Sequence, residues 1–218
     1  MSGCRSDDSS GEDFSRAGGV CGIVLAAGSG TRYGRPKALA ARSDGTPWVR
    51  HAVDVLLAGG CAPVFVALGA ERETAAALVP VADERVVIVE VPDWARGLSA
   101  SVRATLAAAG ATDRAAAVIV PVDTPDLPAA VVARMSDGAD VSALRRAVYG
   151  GVPGHPVVIG HRHWSAVIAG TAGDRGAGEY LAQNGAERVE CGDLWHGADV
   201  DRPDVARRAR LDAVGRAP

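Results

Sequence analysis

The sequence predicts an α/β fold with a mostly parallel sheet covered by helices on both faces. Two observations carry this. Between Val20 and Met135, short apolar runs rich in Val, Ile and Ala alternate with segments of helical period. Strands buried on both faces read as continuous apolar runs, and strand–helix–strand spacing demands right-handed crossovers between parallel strands. Composition agrees: 218 residues, 48% apolar and 22% charged, describe a soluble globular chain long enough to bury a core. No internal repeat or linker divides the chain, so residues 18–218 are read as one domain.

Val20 to Leu25 is the first buried strand, followed at once by a glycine-rich loop. Thr46-Pro47 opens a helix, with Thr as N-cap and Pro at the first helical position. Trp48, Val49, Ala52, Val53, Leu56 and Leu57 share one face of it, and Gly59-Gly60 ends it. Strands at Pro63 to Leu68 and Arg85 to Glu90 flank a helix from Glu71 to Leu78. A loop from Val91 to Leu98 leads to a helix from Ser99 to Ala109. Ala115 to Val122 is the most apolar strand, and Asp126 caps a helix ending near Met135. Beyond Asp140 the pattern loosens. Strands are expected at Val141–Leu144, Pro156–Ile159 and Arg188–Cys191, with helices at His163–Ile168 and Gly176–Gln183 and a short arginine-rich helix at the end.

A net charge of -3 gives no electrostatic case for nucleic acid or an anionic membrane as the main partner. Cys4, Cys21, Cys61 and Cys191 are widely spaced, as suits reduced cytoplasmic thiols rather than a zinc ribbon. Residues 1–17 are polar and acidic with no apolar core of a signal peptide, and are read as a disordered extension. No run is long enough to span a bilayer.

Of 23 basic residues one is lysine, and it ends the stretch Leu25-Ala-Ala-Gly-Ser-Gly-Thr-Arg-Tyr-Gly-Arg-Pro-Lys37. Lysine meets phosphate as a compact point charge, arginine as a planar fork. Gly28, Gly30 and Gly34 let the main chain turn sharply and bring its N–H groups against an anion. Between Gly28 and Lys37 the charges are Arg32, Arg35 and Lys37, with no carboxylate. G-x-x-x-x-G-K-[ST] is absent. G-x-G-x-x-G fails by one residue, because Tyr33 stands where its third glycine belongs, and Asp54, about twenty positions on, falls inside a helix. The remaining alternative is a plain connection with solvated arginines.

The stretch resembles the L-A-A-G-x-x-x-R-[MFY]-G-x-x-K signature of nucleotidyltransferases, most of all the MobA/MocA-like group that attaches CMP or GMP to the phosphate of the molybdenum cofactor's pterin. The resemblance implies a Rossmann-like three-layer α/β/α fold of the nucleotide-diphospho-sugar-transferase kind. It implies that the backbone of Leu25, Ala26, Ala27, Gly28, Ser29, Gly30 and Thr31, together with Arg32, holds an NTP. Lys37 would face the α-phosphate.

Asp123 ends the most apolar strand, and ligands of open α/β sheets lie beyond strand carboxyl ends. Val122-Asp123-Thr-Pro125 resembles the family's D-x-P, whose aspartate holds Mg²⁺; the alternative is a turn or N-cap aspartate. Asp199-Val-Asp201-Arg-Pro-Asp204 resembles the late D-[IV]-D-x-P-x-D segment, implying Asp201 as a second ligand, with Asp199 read as a helix cap. Oxygen donors without a His/Cys cluster favour magnesium.

Pro92-Asp-Trp-Ala-Arg-Gly-Leu-Ser-Ala-Ser101 resembles the family's N-x-x-W-x-x-G-x-x-x-S-[LV] without its asparagine. Gly97 and Ser99 open a helix whose N–H groups suit an anionic acceptor. A nucleophile elbow is excluded there, since its last glycine and preceding strand are missing. Gly154-His155-Pro156 and Gly173-Asp-Arg-Gly176 resemble two further blocks, the first implying His155 as an acceptor contact. His161 and His163 are read as surface residues, and Trp94, Trp164 and Trp195 as packing.

The expected activity is therefore Mg²⁺-dependent transfer of CMP or GMP, leaning to CMP, from an NTP to a small phosphate-bearing acceptor such as molybdopterin. A molybdoenzyme is the implied maturation partner. Two rivals stand beside it: an NAD(P)H-dependent oxidoreductase of the nicotine-blue type on the same fold, and a non-catalytic nucleotide-binding protein.

Overall fold

The computed structural model describes residues 18–202. The N-terminal extension, Asp204 and the expected closing helix lie outside them. Seven strands form one sheet: β1 (Val20–Leu25), β2 (Val64–Leu68), β3 (Val86–Glu90), β4 (Ala116–Pro121), β5 (Leu144–Tyr149), β6 (Val152–Gly160) and β7 (Glu187–Glu190). Their order is β3-β2-β1-β4-β6-β5-β7. β3, β2, β1 and β4 run parallel, β6 is antiparallel to β4 and β5, and β7 is parallel to β5.

The helices are α1 (Trp48–Ala58), α2 (Arg72–Ala76), α3 (Leu98–Ala109), α4 (Ala129–Ser136), α5 (His161–Gly170) and α6 (Gly178–Gln183). One face of the sheet packs Val24, Val66 and Val118 against Trp48, Leu56 and Val132 of α1 and α4. The other packs Ile23, Phe65 and Ile119 against Leu106, Trp164 and Leu181 of α3, α5 and α6. The expected three-layer architecture is the one found. From β1 the chain goes to β2 and β3 on one side, then returns through α3 to β4 on the other. That reversal opens a crevice at the carboxyl ends of β1 and β4, the usual ligand site of such sheets.

Three local expectations need correction. Thr46 does not cap α1. Its backbone N–H donates to Asp44 Oδ1 at 2.9 Å and its carbonyl accepts from Arg42 at 2.9 Å, so it closes a turn and Pro47 becomes the N-cap. Asp126 does not cap α4, which begins at Ala129 behind Pro128, the proline disfavouring helix at Leu127. Asp126 lies 3.6 Å from Arg42 Nη1 instead. Val141 to Leu144 is not a strand. The Asp140 carboxylate accepts from Ser142 N–H at 2.8 Å, a turn that delays β5 to Leu144.

Candidate functional site

The loop after β1 is built by two glycines with positive φ. Gly30 (φ +63) has no room for a side chain, since a Cβ there would lie 2.0 Å from the Arg35 carbonyl oxygen. That carbonyl oxygen is part of a chain folded back over Gly30, whose own oxygen accepts from Tyr33 and Gly34 at 2.9 and 2.8 Å. Gly34 (φ +89) completes the turn. Gly28, by contrast, faces open space. A 3-10 turn from Lys37 to Leu39 then buries Ala38, and Tyr33 packs on Trp48 with ring centroids 5.3 Å apart. Lys37 is thereby fixed at the base of the loop.

A cavity of about 610 Å³ opens at the crevice, and the loop from Leu25 to Arg32, with Lys37, lines one wall. Gly97, Asp123, His155 and Asp201 line it too. The structure thus brings together the nucleotide, metal and acceptor candidates named from the sequence except Ser99, while Gly34 and Arg35 lie outside the lining. The Ser99 side chain is buried behind the wall with its hydroxyl unpartnered, and Ser101, two residues on, lines the cavity instead. The anion site expected at the start of α3 needs the same correction. The Ser99 N–H already donates to the Gly173 carbonyl at 3.0 Å and the Ala100 N–H to Gly97 at 3.1 Å.

Lys37 Nζ stands 2.8 Å from Asp123 Oδ2 and 2.8 Å from Asp201 Oδ1, with Arg32 Nη1 3.4 Å from Asp201 Oδ2. Burial alone would lower the lysine's pKa; its bonds to both carboxylates overcome that and raise it. The same bond from Lys37 holds the Asp201 carboxyl below the usual range. Asp123 stands two residues past the end of β4. Its carbonyl accepts from Val200 N–H at 2.9 Å, which docks the late acidic segment against the sheet. Val200 is buried there, so Asp199 and Asp201, two apart in extended chain, both turn to the cavity.

Asp199 is the ligand candidate that the sequence reading missed. The helix it was expected to cap lies outside the described residues. Oxygens of Asp123, Asp199 and Asp201 all lie within 4.8 Å of one another. Asp123 Oδ1 is buried without a hydrogen-bond partner, as a carboxylate left free for a cation would be. The donor set is all oxygen and fits a hard divalent ion. The alternation Asp-Val-Asp was the available signal for Asp199, had the segment been read as extended.

Trp94 was read as packing, and it does cover Gly69, where a Cβ would lie 2.6 Å from the Trp94 Cβ. It also lines the cavity, next to Ala95 and Leu98. Trp164 and Trp195 are buried as expected, whereas His163 bonds Tyr180 at 2.9 Å. The His155 ring is held neutral by burial, which outweighs the nearby Asp123 carboxylate. Cys21, Cys61 and Cys191 are buried free thiols, and burial pushes Cys21 up to about 12, so the described cysteines are poor nucleophiles. Among the described residues no helix is long and apolar enough to cross a membrane.

Comparison with known proteins gives the fold and the family. The nicotine blue oxidoreductase of Paenarthrobacter nicotinovorans is 33% identical over 192 residues, covering 84% of this chain and 92% of that protein. The crystal structure of Rv0371c from Mycobacterium tuberculosis H37Rv matches with a TM-score of 0.74 at 23% identity, covering 90% of this chain and 100% of that one. Its manganese complex matches at 0.69 and 24%, over 88% and 98%. A nucleotidyl transferase from Methanothermobacter matches at 0.74 and 18%, over 91% and 99%. The family model of the MobA-like NTP transferase domain matches residues 22–189, and the chain belongs to that family.

Proposed function

We propose that this protein is a Mg²⁺-dependent nucleotidyltransferase that moves CMP or GMP, with CMP favoured, from an NTP to a phosphate-bearing acceptor such as molybdopterin. Family membership supports nucleotidyl transfer in general. The observation that carries the reading is the pairing of Lys37 with Asp123 and Asp201 at the foot of a glycine loop, where a triphosphate would lie. An oxygen of the acceptor phosphate attacks the α-phosphorus, the bond to the bridging α–β oxygen breaks, and pyrophosphate leaves.

Nucleophile and leaving group are both anionic, so the work is positioning and charge neutralisation. The loop N–H groups from Ala27 to Thr31 cradle the phosphates, the Ala26 N–H being already bonded to the Ala67 carbonyl. Arg32 and Lys37 offset charge as it moves onto the leaving pyrophosphate. Asp123, Asp199 and Asp201 would hold the divalent ion, which would supply further charge neutralisation. Trp94 and Leu98 wall the acceptor side, with His155 a neutral hydrogen-bonding contact. In this reading the protein works in the cytoplasm and hands its product to a molybdoenzyme.

The relationship to nicotine blue oxidoreductase favours a second reading, hydride transfer to a quinone-like pigment in the same cavity. The glycine spacing gives it no dinucleotide fingerprint, since Tyr33 interrupts G-x-G-x-x-G. One experiment separates the two. Pyrophosphate release is screened over four NTPs with Mg²⁺, with and without molybdopterin-type acceptors, beside NADPH oxidation with nicotine blue. Acceptor-dependent pyrophosphate is the expected result. NADPH consumption without pyrophosphate would establish the oxidoreductase, and saturable NTP binding with neither would leave a nucleotide-binding protein.

A further inference from the structure

The charged residues around the cavity are unevenly placed. Arg32 and Lys37 both belong to the glycine-loop wall, while Asp123, Asp174, Asp199 and Asp201 supply four carboxylates. A phosphate arriving from the acceptor side meets no cation among these lining residues. At the start of α3 the Ser99 and Ala100 N–H groups are already engaged.

Arg146 is placed to supply that charge. Most arginines among the described residues stand beside a carboxylate. Of those that do not, Arg35, Arg162, Arg188 and Arg202 are exposed, where water satisfies them. Arg146 is half-buried, forms no ion pair among the described residues, and its Nε is buried with no hydrogen-bond partner among them. A shielded cation with an unmet donor is unfavourable by itself and is a position prepared for an anion.

Its surroundings lead to the cavity. In the sheet Arg146 pairs with Val157, two residues along β6 from His155, where the β5–β6 register slips. His155 lines the cavity. On the other side, a Cβ added at Gly178 would sit 3.6 Å from Arg146 Nη1. Gly178 opens α6 directly after the Asp174 loop, which also lines the cavity. Arg146 therefore stands just behind the lining residues, between β6, which carries His155 to the cavity, and α6, which follows the Asp174 loop.

We infer that Arg146, with His155, forms the subsite for the acceptor's phosphomonoester, on the side of the cavity opposite the triphosphate loop. The inference rests on the nucleotidyl-transfer reading, which it deepens by naming what holds the attacking group. A guanidinium suits the task because its fork can take two phosphate oxygens at once. The His155 imidazole can donate a hydrogen bond to the same group.

The test uses the full chain, inorganic phosphate as probe, and the variants Arg146→Gln and Arg32→Gln, with calorimetric titration of phosphate and, separately, of Mg²⁺ with each NTP. Arg146→Gln is expected to weaken phosphate binding at least tenfold and leave NTP affinity within twofold, whereas Arg32→Gln weakens NTP. Melting adds a readout that a structural arginine would not give. In phosphate-free buffer Arg146→Gln should melt at or above the wild-type temperature, and phosphate should raise the wild-type midpoint more than the variant's. Unchanged phosphate affinity, or a lowered midpoint in the variant, overturns the inference. If no NTP binds the wild type while phosphate binding still depends on Arg146, the nucleotidyl-transfer reading falls and the anion subsite stands.

Discussion

Replacing Lys37 by Met removes an ammonium that touches two carboxylates at 2.8 Å each, and it should make the protein bind divalent metal more tightly while making it a worse enzyme. The side chain of Lys37 is 14% exposed, that of Asp123 19% and that of Asp201 45%, so the local dielectric lies between interior and bulk values. Without the lysine, Asp123 and Asp201 face each other with oxygens within 4.8 Å. Their repulsion is about 1 kcal/mol in bulk water and about 3.5 kcal/mol at an effective dielectric of 20. The metal-free variant should therefore lose about 1–3 kcal/mol of stability, a value bracketed by those limits.

A metal ion restores the balance. In the wild type it must first displace the ammonium from the same oxygens, and even about 1.4 kcal/mol of such competition is tenfold in affinity. Mn²⁺ titration without nucleotide, followed by electron paramagnetic resonance of the free ion, should show at least tenfold tighter binding in Lys37→Met. Melting curves should show the lost stability returning with Mn²⁺. Turnover should fall at least about a hundredfold, the loss of one transition-state charge contact. Equal or weaker Mn²⁺ binding in the variant refutes the reasoning, because the lysine would then not compete for the carboxylates at all.

Two glycines of the loop should separate folding from binding. Gly28→Ala meets no atom within 4 Å and should keep its melting temperature but weaken NTP binding, since the new methyl stands where backbone must approach phosphate. Gly30→Ala forces a positive φ and a 2.0 Å overlap with Arg35, so it should lower the midpoint and abolish NTP binding together; comparable stability of the two variants would contradict the loop geometry. Acid should destabilise the fold in two stages. Burial lowers the pKa of His51 and His155, so below about pH 6.5 the unfolded chain takes up protons that the folded one refuses, and stability falls. Asp201, lowered by its bond to Lys37, adds a second loss below about pH 4, as the folded carboxylate is finally protonated. A melting temperature flat between pH 7 and 5 would show that the two histidines titrate alike in both states.

Local chemistry was legible wherever neighbours in the chain decide it. Val20 to Leu25 is a strand because its residues are apolar on both faces, and the glycines after it turn because little else can. Expectations failed where a short polar side chain offered the backbone another partner, as Asp44 did at Thr46 and Asp140 did at Ser142. Ser99 failed for a different reason: a carbonyl from Gly173, far along the chain, had already taken its N–H.

By itself the sequence determined the order of strands and helices, the glycine loop and the lone lysine at its end, because each follows from residue type and spacing. Only the tertiary structure decided what that lysine touches. Its two carboxylates lie 86 and 164 residues away, and they meet it because the sheet reverses between β1 and β4 and a buried Val200 pins the late segment to Asp123. The same long-range packing added Asp199 to the cluster and left Arg146 without a carboxylate, since partners across a sheet are set by register and not by distance along the chain.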